Sequence, residues 1–159
     1  MTNGTDPAYL YNFIRMYRQA VLATANDGAP FTAMVSYAEE GVPPAVPDPD
    51  HLLAGASFLV HLSELSAHKR HLRANPRCSL LIAEPDPGRG DVMSLSRLSV
   101  QGVAALVPKA TIEYDDAKAR YLSKLPTSAM MFSLQDFDLF RIHVTGGRFI
   151  AGFGRVFNV

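Results

Sequence analysis

The chain has 159 residues with 15 basic against 15 acidic side chains, a formal net charge of zero that excludes bulk attraction to nucleic acid or an anionic membrane. Hydrophobic residues make up 48% and charged residues 19%, which excludes disorder and fits a single domain over 1–159 with a sizeable core. One cysteine, Cys78, excludes an internal disulfide; with neither a secretory leader nor an apolar run of about 18 residues, a cytoplasmic location is expected.

Asp6-Pro7 starts a helix in which Tyr9, Leu10, Phe13, Ile14 and Tyr17 share a face. Residues 20–25 and 31–38 read as two strands joined by an Asn26-Asp27-Gly28 turn, with Ala33 and Val35 on one side of the second strand and Met34 and Ser36 on the other. The proline-rich 41–49 segment reads as a rigid loop, and a brief strand is expected around Leu52-Leu53.

Residues 57–83 are the most informative stretch. An apolar strand over 57–62 runs into a serine-rich turn, and Ser66 suits a helix N-cap because its hydroxyl accepts from unpaired backbone N–H groups. Leu65, His68 and Leu72 recur at helical spacing until Asn75-Pro76 stops the helix, and residues 78–83 re-enter the core as a strand. Lys69, Arg70, Arg73 and Arg77 face one acid, Glu64, and His61, His68 and His71 fall in the same window. A helix start preceded by a strand and followed by basic residues favours an anion. Ser66 and His68, with Lys69 or Arg70, are therefore the expected phosphate contacts, against the alternative of a solvated basic face.

Farther on, residues 97–107 alternate as a strand, with Leu98 and Val100 opposite Arg97, Ser99 and Gln101. Arg97 carries a planar guanidinium suited to a bidentate phosphate. Residues 111–122 read as a helix, the Met130-Met131-Phe132 cluster reads as core, as the wall of a flat cofactor pocket or as a subunit interface, and a strand over 139–144 leads through a Gly146-Gly147 turn to a final hairpin over 149–157. Six or seven strands with few helices predict a mainly β fold with peripheral helices, an antiparallel barrel whose closure removes exposed edges. Zinc held by His68 and His71 lacks a third ligand, and no nucleophile elbow or Walker motif occurs, so no metal site is expected and no catalytic acid or base is assigned. Tyr37 and His61 are acid–base candidates only if they face the bound ring.

The pattern S-x-L-x-x-H…L-x-x-N-P-R-x-S-L-L, here Ser63 to Leu81, resembles the flavin-binding split-barrel family related to pyridoxamine 5'-phosphate oxidase, in particular its haem-utilisation branch. VLATANDGAPFTAMVSY, DVMSLSRLSVQGVAALV and FRIHVTGGRFIAGFGR extend the likeness over nearly the whole chain. The resemblance implies a split β-barrel homodimer with FMN at the interface, haem or a deazaflavin being the alternatives. It implies Ala33, Met34, Val35 and Ser36 beside the flavin ring, His61, Ser66 and His68 at the phosphate and ribityl chain, and Arg97 as a further polar contact. Ala67 and His68 replace the arginine and lysine of the oxidases, and Arg155-Val156-Phe157 lacks their C-terminal arginine-x-histidine pair, so pyridoxamine phosphate oxidation is not implied. The haem-utilisation branch often continues into another domain, and the sequence ends at Val159. The first expectation is thus an FMN-dependent oxidoreductase of unidentified substrate, ahead of haem binding or breakdown and of a non-catalytic flavin sensor.

Overall fold

The computed structural model describes residues 8–43 and 50–159. Helix α1 (Ala8–Met16) buries Leu10, Tyr11, Phe13 and Ile14 on one stripe. Strands β1 (Gln19–Asn26) and β2 (Ala29–Ser36) pair antiparallel across Asp27 and Gly28, whose φ angles of 48° and 80° are the positive pair a two-residue hairpin turn requires. After the short β3 (Ala38–Glu40) come β4 (Ser57–Ser63), helix α2 (Ala67–Ala74) and β5 (Arg77–Ala83). Strand β6 (Arg97–Leu106), helix α3 (Ile112–Lys124), a 3-10 segment (Pro126–Ser133), β7 (Phe137–Ile150) and β8 (Val156–Asn158) complete the described chain.

The strands form one sheet in the order β2-β1-β5-β6-β7-β4-β3, with β8 on β7 and every pair antiparallel. It curls into a split barrel. Helix α2 joins β4 to β5, which are not neighbours, and so carries the chain from one side of the sheet to the other.

Strand β4 explains how a site forms here. Phe58, Val60 and Leu62 face the main core with Leu22, Leu80, Leu98 and Phe149. Leu59 faces a second core under α3, built from Val107, Tyr114, Ala117, Tyr121 and Leu139. Burial on both faces makes the run continuously apolar rather than alternating. His61, two residues beyond Leu59, falls on the α3 side at the end of that second core.

Three local expectations are corrected. Leu52 and Leu53 are buried in a run of turns rather than a strand, and Leu52 offers its carbonyl to the Tyr11 hydroxyl at 2.7 Å. Gly146 and Gly147 make no turn; they lie within β7, where a register irregularity opposite Gln101 and Gly102 absorbs an extra residue. A Cβ on Gly147 would come within 2.3 Å of the Ser99 carbonyl, so close strand approach explains the glycine. The reversal comes later, around Gly152 and Gly154, both at positive φ. Leu65 precedes α2 and is exposed, leaving His68, Lys69, His71 and Leu72 as the buried face. The Asp6-Pro7 helix start and most of the 41–49 loop lie outside the described residues.

Candidate functional site

The end of β2, the end of β4, the start of α2, Tyr121 of α3 and the 3-10 segment enclose a cleft of about 280 Å³. Seven of the residues singled out from sequence border it: Ala33, Met34, Val35, Ser36, His61, Ser66 and His68. Arg97 does not. Its guanidinium donates to the Met93 and Leu95 carbonyls at 3.1 and 3.0 Å, closing the turn before β6. Tyr37 is also elsewhere, fully buried with its hydroxyl donating to the Ile14 carbonyl at 2.8 Å and its pKa raised by burial.

The imidazole of His61 is held by rings. Phe132 stacks on it at 3.9 Å between centroids, Phe137 lies at 5.0 Å and Tyr121 meets it edge-on at 6.0 Å. Both His61 nitrogens are enclosed and without a hydrogen-bond partner. Burial first, and then the positive charge of Lys109, pushes the His61 pKa down to about 4. The ring is therefore neutral near pH 7.

His68 is likewise enclosed. Its Nδ1 lies 2.8 Å from the Thr24 hydroxyl, while its Nε2 has no partner. Burial and then neighbouring His71 lower its pKa. These histidines can donate or accept a hydrogen bond or ligate a metal, but they bring no fixed positive charge.

The expectation that Lys69 helps hold a phosphate is corrected. Its ammonium points away into a clamp with Glu64 at 2.6 Å, Asp138 at 2.8 Å and the Asp136 carbonyl at 2.8 Å. Burial alone would lower the Lys69 pKa, but the bonds to Asp138 and Glu64 outweigh it and raise the value. Arg73 is also tied to Glu64. A basic run in sequence thus becomes an ion-paired network pinning α2 to the start of β7. Arg70 is exposed and does not line the cleft, so what borders it for an anion is the Ser66 hydroxyl, which makes no cap hydrogen bond, and the first-turn N–H groups that helix geometry leaves open.

The rest of the lining is apolar or weakly polar: Leu62, Met131 and Phe137 beside Ser63 and Ser128. The Met130-Met131-Phe132 cluster is divided: Met131 lines the cleft, Met130 is exposed, and Phe132 packs on His61 and the second core. Thr24 escaped the sequence reading. A signal existed, because in β1 it follows Ala20 and Leu22 on the inward face as a lone hydroxyl.

A larger groove of about 670 Å³ runs along β1, β5 and β6, lined by residues such as Ala23, Arg77, Cys78 and Gln101. Among the described residues, the enclosed unpartnered side-chain atoms belong to His61 and His68, and both border the smaller cleft. Buried polar groups without partners are rare and costly, so the smaller cleft is the candidate site. Cys78 is a buried thiol whose pKa burial pushes up to about 12, which leaves it inert beside that groove.

The family model described as pyridoxamine 5'-phosphate oxidase matches residues 10–151. Heme oxygenase HutZ of Vibrio cholerae is 28% identical over 103 residues, 64% of this chain and 58% of its own length. The non-canonical heme oxygenase HOZ of Arabidopsis thaliana, a chloroplastic protein, is 35% identical over 106 residues, 65% of this chain and 30% of its own length. The chain thus spans about half of one curated relative and less than a third of the other. A structure described as a heme binding protein from Mycobacterium smegmatis superposes with a TM-score of 0.76 at 22% identity, over 100% of this chain and 58% of that one. At that identity the likeness establishes the fold alone. No helix among the described residues is long and apolar enough to cross a membrane.

Proposed function

Because the chain belongs to the pyridoxamine 5'-phosphate oxidase family, we propose that it holds a flat cofactor in the cleft around His61 and His68, and that this cofactor is haem. The carrying observation is His61: a neutral, enclosed imidazole with both nitrogens free, in a wall of rings and thioethers. Such a group suits iron, which takes neutral imidazole nitrogen, better than it suits a phosphate. His61 would be the iron ligand, Met34, Met131 and Phe137 would line an apolar ring system, and Ser66 with the α2 start would meet an acidic substituent. When bound, haem supplies an iron centre for oxygen chemistry; the protein's part is to present the ligand, exclude water and supply hydrogen bonds. The names of the curated relatives support the same choice. FMN, first in the sequence-based expectation, becomes second.

FMN is supported by the uncapped Ser66 and the open first turn of α2, which suit a terminal phosphate, and by the family itself. Against it stands the withdrawal of Lys69 into ion pairs, which leaves the cleft short of positive charge.

A volume of about 280 Å³ lies just below the roughly 300–1,000 Å³ of enclosing ligand sites. Met34 and Met131 are exposed at its rim, and Val21, Phe31, Leu81 and Val103 expose further apolar surface on the sheet. A second copy of the chain is proposed to cover this surface and complete the pocket. Titrating the purified chain with haemin and, separately, with FMN tests the assignment. The proposal predicts a saturable Soret band with haemin and weaker retention of FMN; a chain that keeps yellow flavin through purification and ignores haemin would reverse the order.

A further inference from the structure

Behind His68, the Thr24 hydroxyl sits between two imidazoles: its Oγ1 is 2.8 Å from Nδ1 of His68 and 2.9 Å from Nδ1 of His71. The phenyl edge of Phe31 packs near both rings, at 5.1 and 5.7 Å between centroids, and Thr24 itself is buried. A hydroxyl carries one proton. If it donates to one ring, it can only accept from the other, and that other ring must then carry its proton on Nδ1. The two rings are thereby forced into opposite tautomers.

The far ends of the pair differ. Nε2 of His68 is enclosed and unpartnered, and His68 borders the cleft. His71 keeps 8% of its surface exposed, and its Nε2 is not among the enclosed unpartnered atoms. The His71 end thus keeps some access to solvent, while the His68 side chain lines the cleft.

We propose that His71, Thr24 and His68 form a proton relay that supplies the cleft from solvent without opening it. In the loaded state His71 carries its proton on Nδ1 and donates to Thr24, which donates to Nδ1 of His68, whose Nε2 carries the proton offered to the ligand. Transfer moves that Nε2 proton to a basic atom of the ligand, the Thr24 proton to His68 Nδ1 and the His71 Nδ1 proton to Thr24. Water then gives a proton to His71 Nε2. One proton has passed from solvent to ligand, both rings end neutral, and each has exchanged tautomers. In that discharged state His68 presents a bare Nε2 lone pair to the cleft.

The relay rests on the cleft being a ligand site, but its signature exists in the ligand-free chain, so the two can fail separately. Two-bond proton–nitrogen spectra of the 15N-labelled, ligand-free protein read the tautomer of each ring at a pH where both are neutral. The relay predicts opposite tautomers, or exchanging populations in which the Nδ1–H fractions of the two rings add to one. Thr24→Val, of the same shape but without the hydroxyl, should abolish that correlation, and Thr24→Ser should keep it. The same tautomer on both rings of the native protein, or opposite tautomers that Thr24→Val leaves untouched, would overturn the relay.

Discussion

The imidazole of His61 lies flat on the phenyl ring of Phe132, with centroids 3.9 Å apart and planes within 11° of parallel. The contact joins the end of β4 to the 3-10 segment after α3, two parts of the chain 71 positions apart that meet because Leu59, Leu139 and Tyr121 share the second core. It also keeps His61 dry, and dryness keeps the ring neutral.

Phe132→Ala should therefore hydrate His61. Its pKa is expected to climb from about 4 toward the ordinary 6.5, read by proton NMR of the ring. Because Phe132 is only half-buried, the loss of stability should be about 2 kcal/mol, below the about 3–5 kcal/mol of a fully buried phenylalanine. A His61 that still titrates near 4 would show that the stack is not what keeps it neutral.

Stability should fall in mild acid. The folded pKa values of His61 and His68 are depressed, so between 6.5 and about 4 the unfolded chain binds protons more readily than the folded one. The stability they protect is complete above 6.5 and is lost as pH falls toward 4. Allowing for partial solvent access, His61 alone should cost about 1 kcal/mol between about pH 7 and pH 5, measured by urea unfolding. His61→Gln should flatten its share of the slope.

Lys69→Met should destabilise the fold by about 3 kcal/mol, because Asp138 and Glu64 lose the ammonium between them. Well below its melting temperature the variant should bind haemin within about twofold of wild type. A large loss of affinity with little loss of stability would return Lys69 to the ligand site.

Gly147→Ala should cost about 2–3 kcal/mol, since the added methyl meets the Ser99 carbonyl of β6 at 2.3 Å and has no rotamer to escape by. Gly146→Ala is the control, with open space at its Cβ, and should be close to neutral. Thermal melts of the pair decide this.

Local chemistry made much of the fold legible. The Asn26-Asp27-Gly28 turn, the Asn75-Pro76 stop and the alternation of β6 each dictate their own geometry, and the order of elements followed. The cleft residues were legible too, because the Ser63 to Leu81 pattern and the second strand converge on one place. What the sequence hid was partnership. Whether Lys69 served a ligand or a carboxylate depended on Asp138, 69 positions away, and whether Arg97 faced the cleft depended on the Met93–Leu95 turn. The Gly146-Gly147 pair looked like a turn because the crowding that demands glycine comes from β6, a neighbour set only by the tertiary fold. Thr24 looked like one strand residue among several until two histidines from α2 closed on it.

Iron held by the neutral ring of His61 should be visible in a haemin titration, followed by the Soret band, of wild type, His61→Ala and the exposed control His143→Ala. His61→Ala should shift the Soret maximum and weaken binding by about tenfold or more, about 1.4 kcal/mol, while His143→Ala leaves both unchanged. A His61→Ala protein with wild-type affinity and an unshifted band would contradict iron ligation by His61.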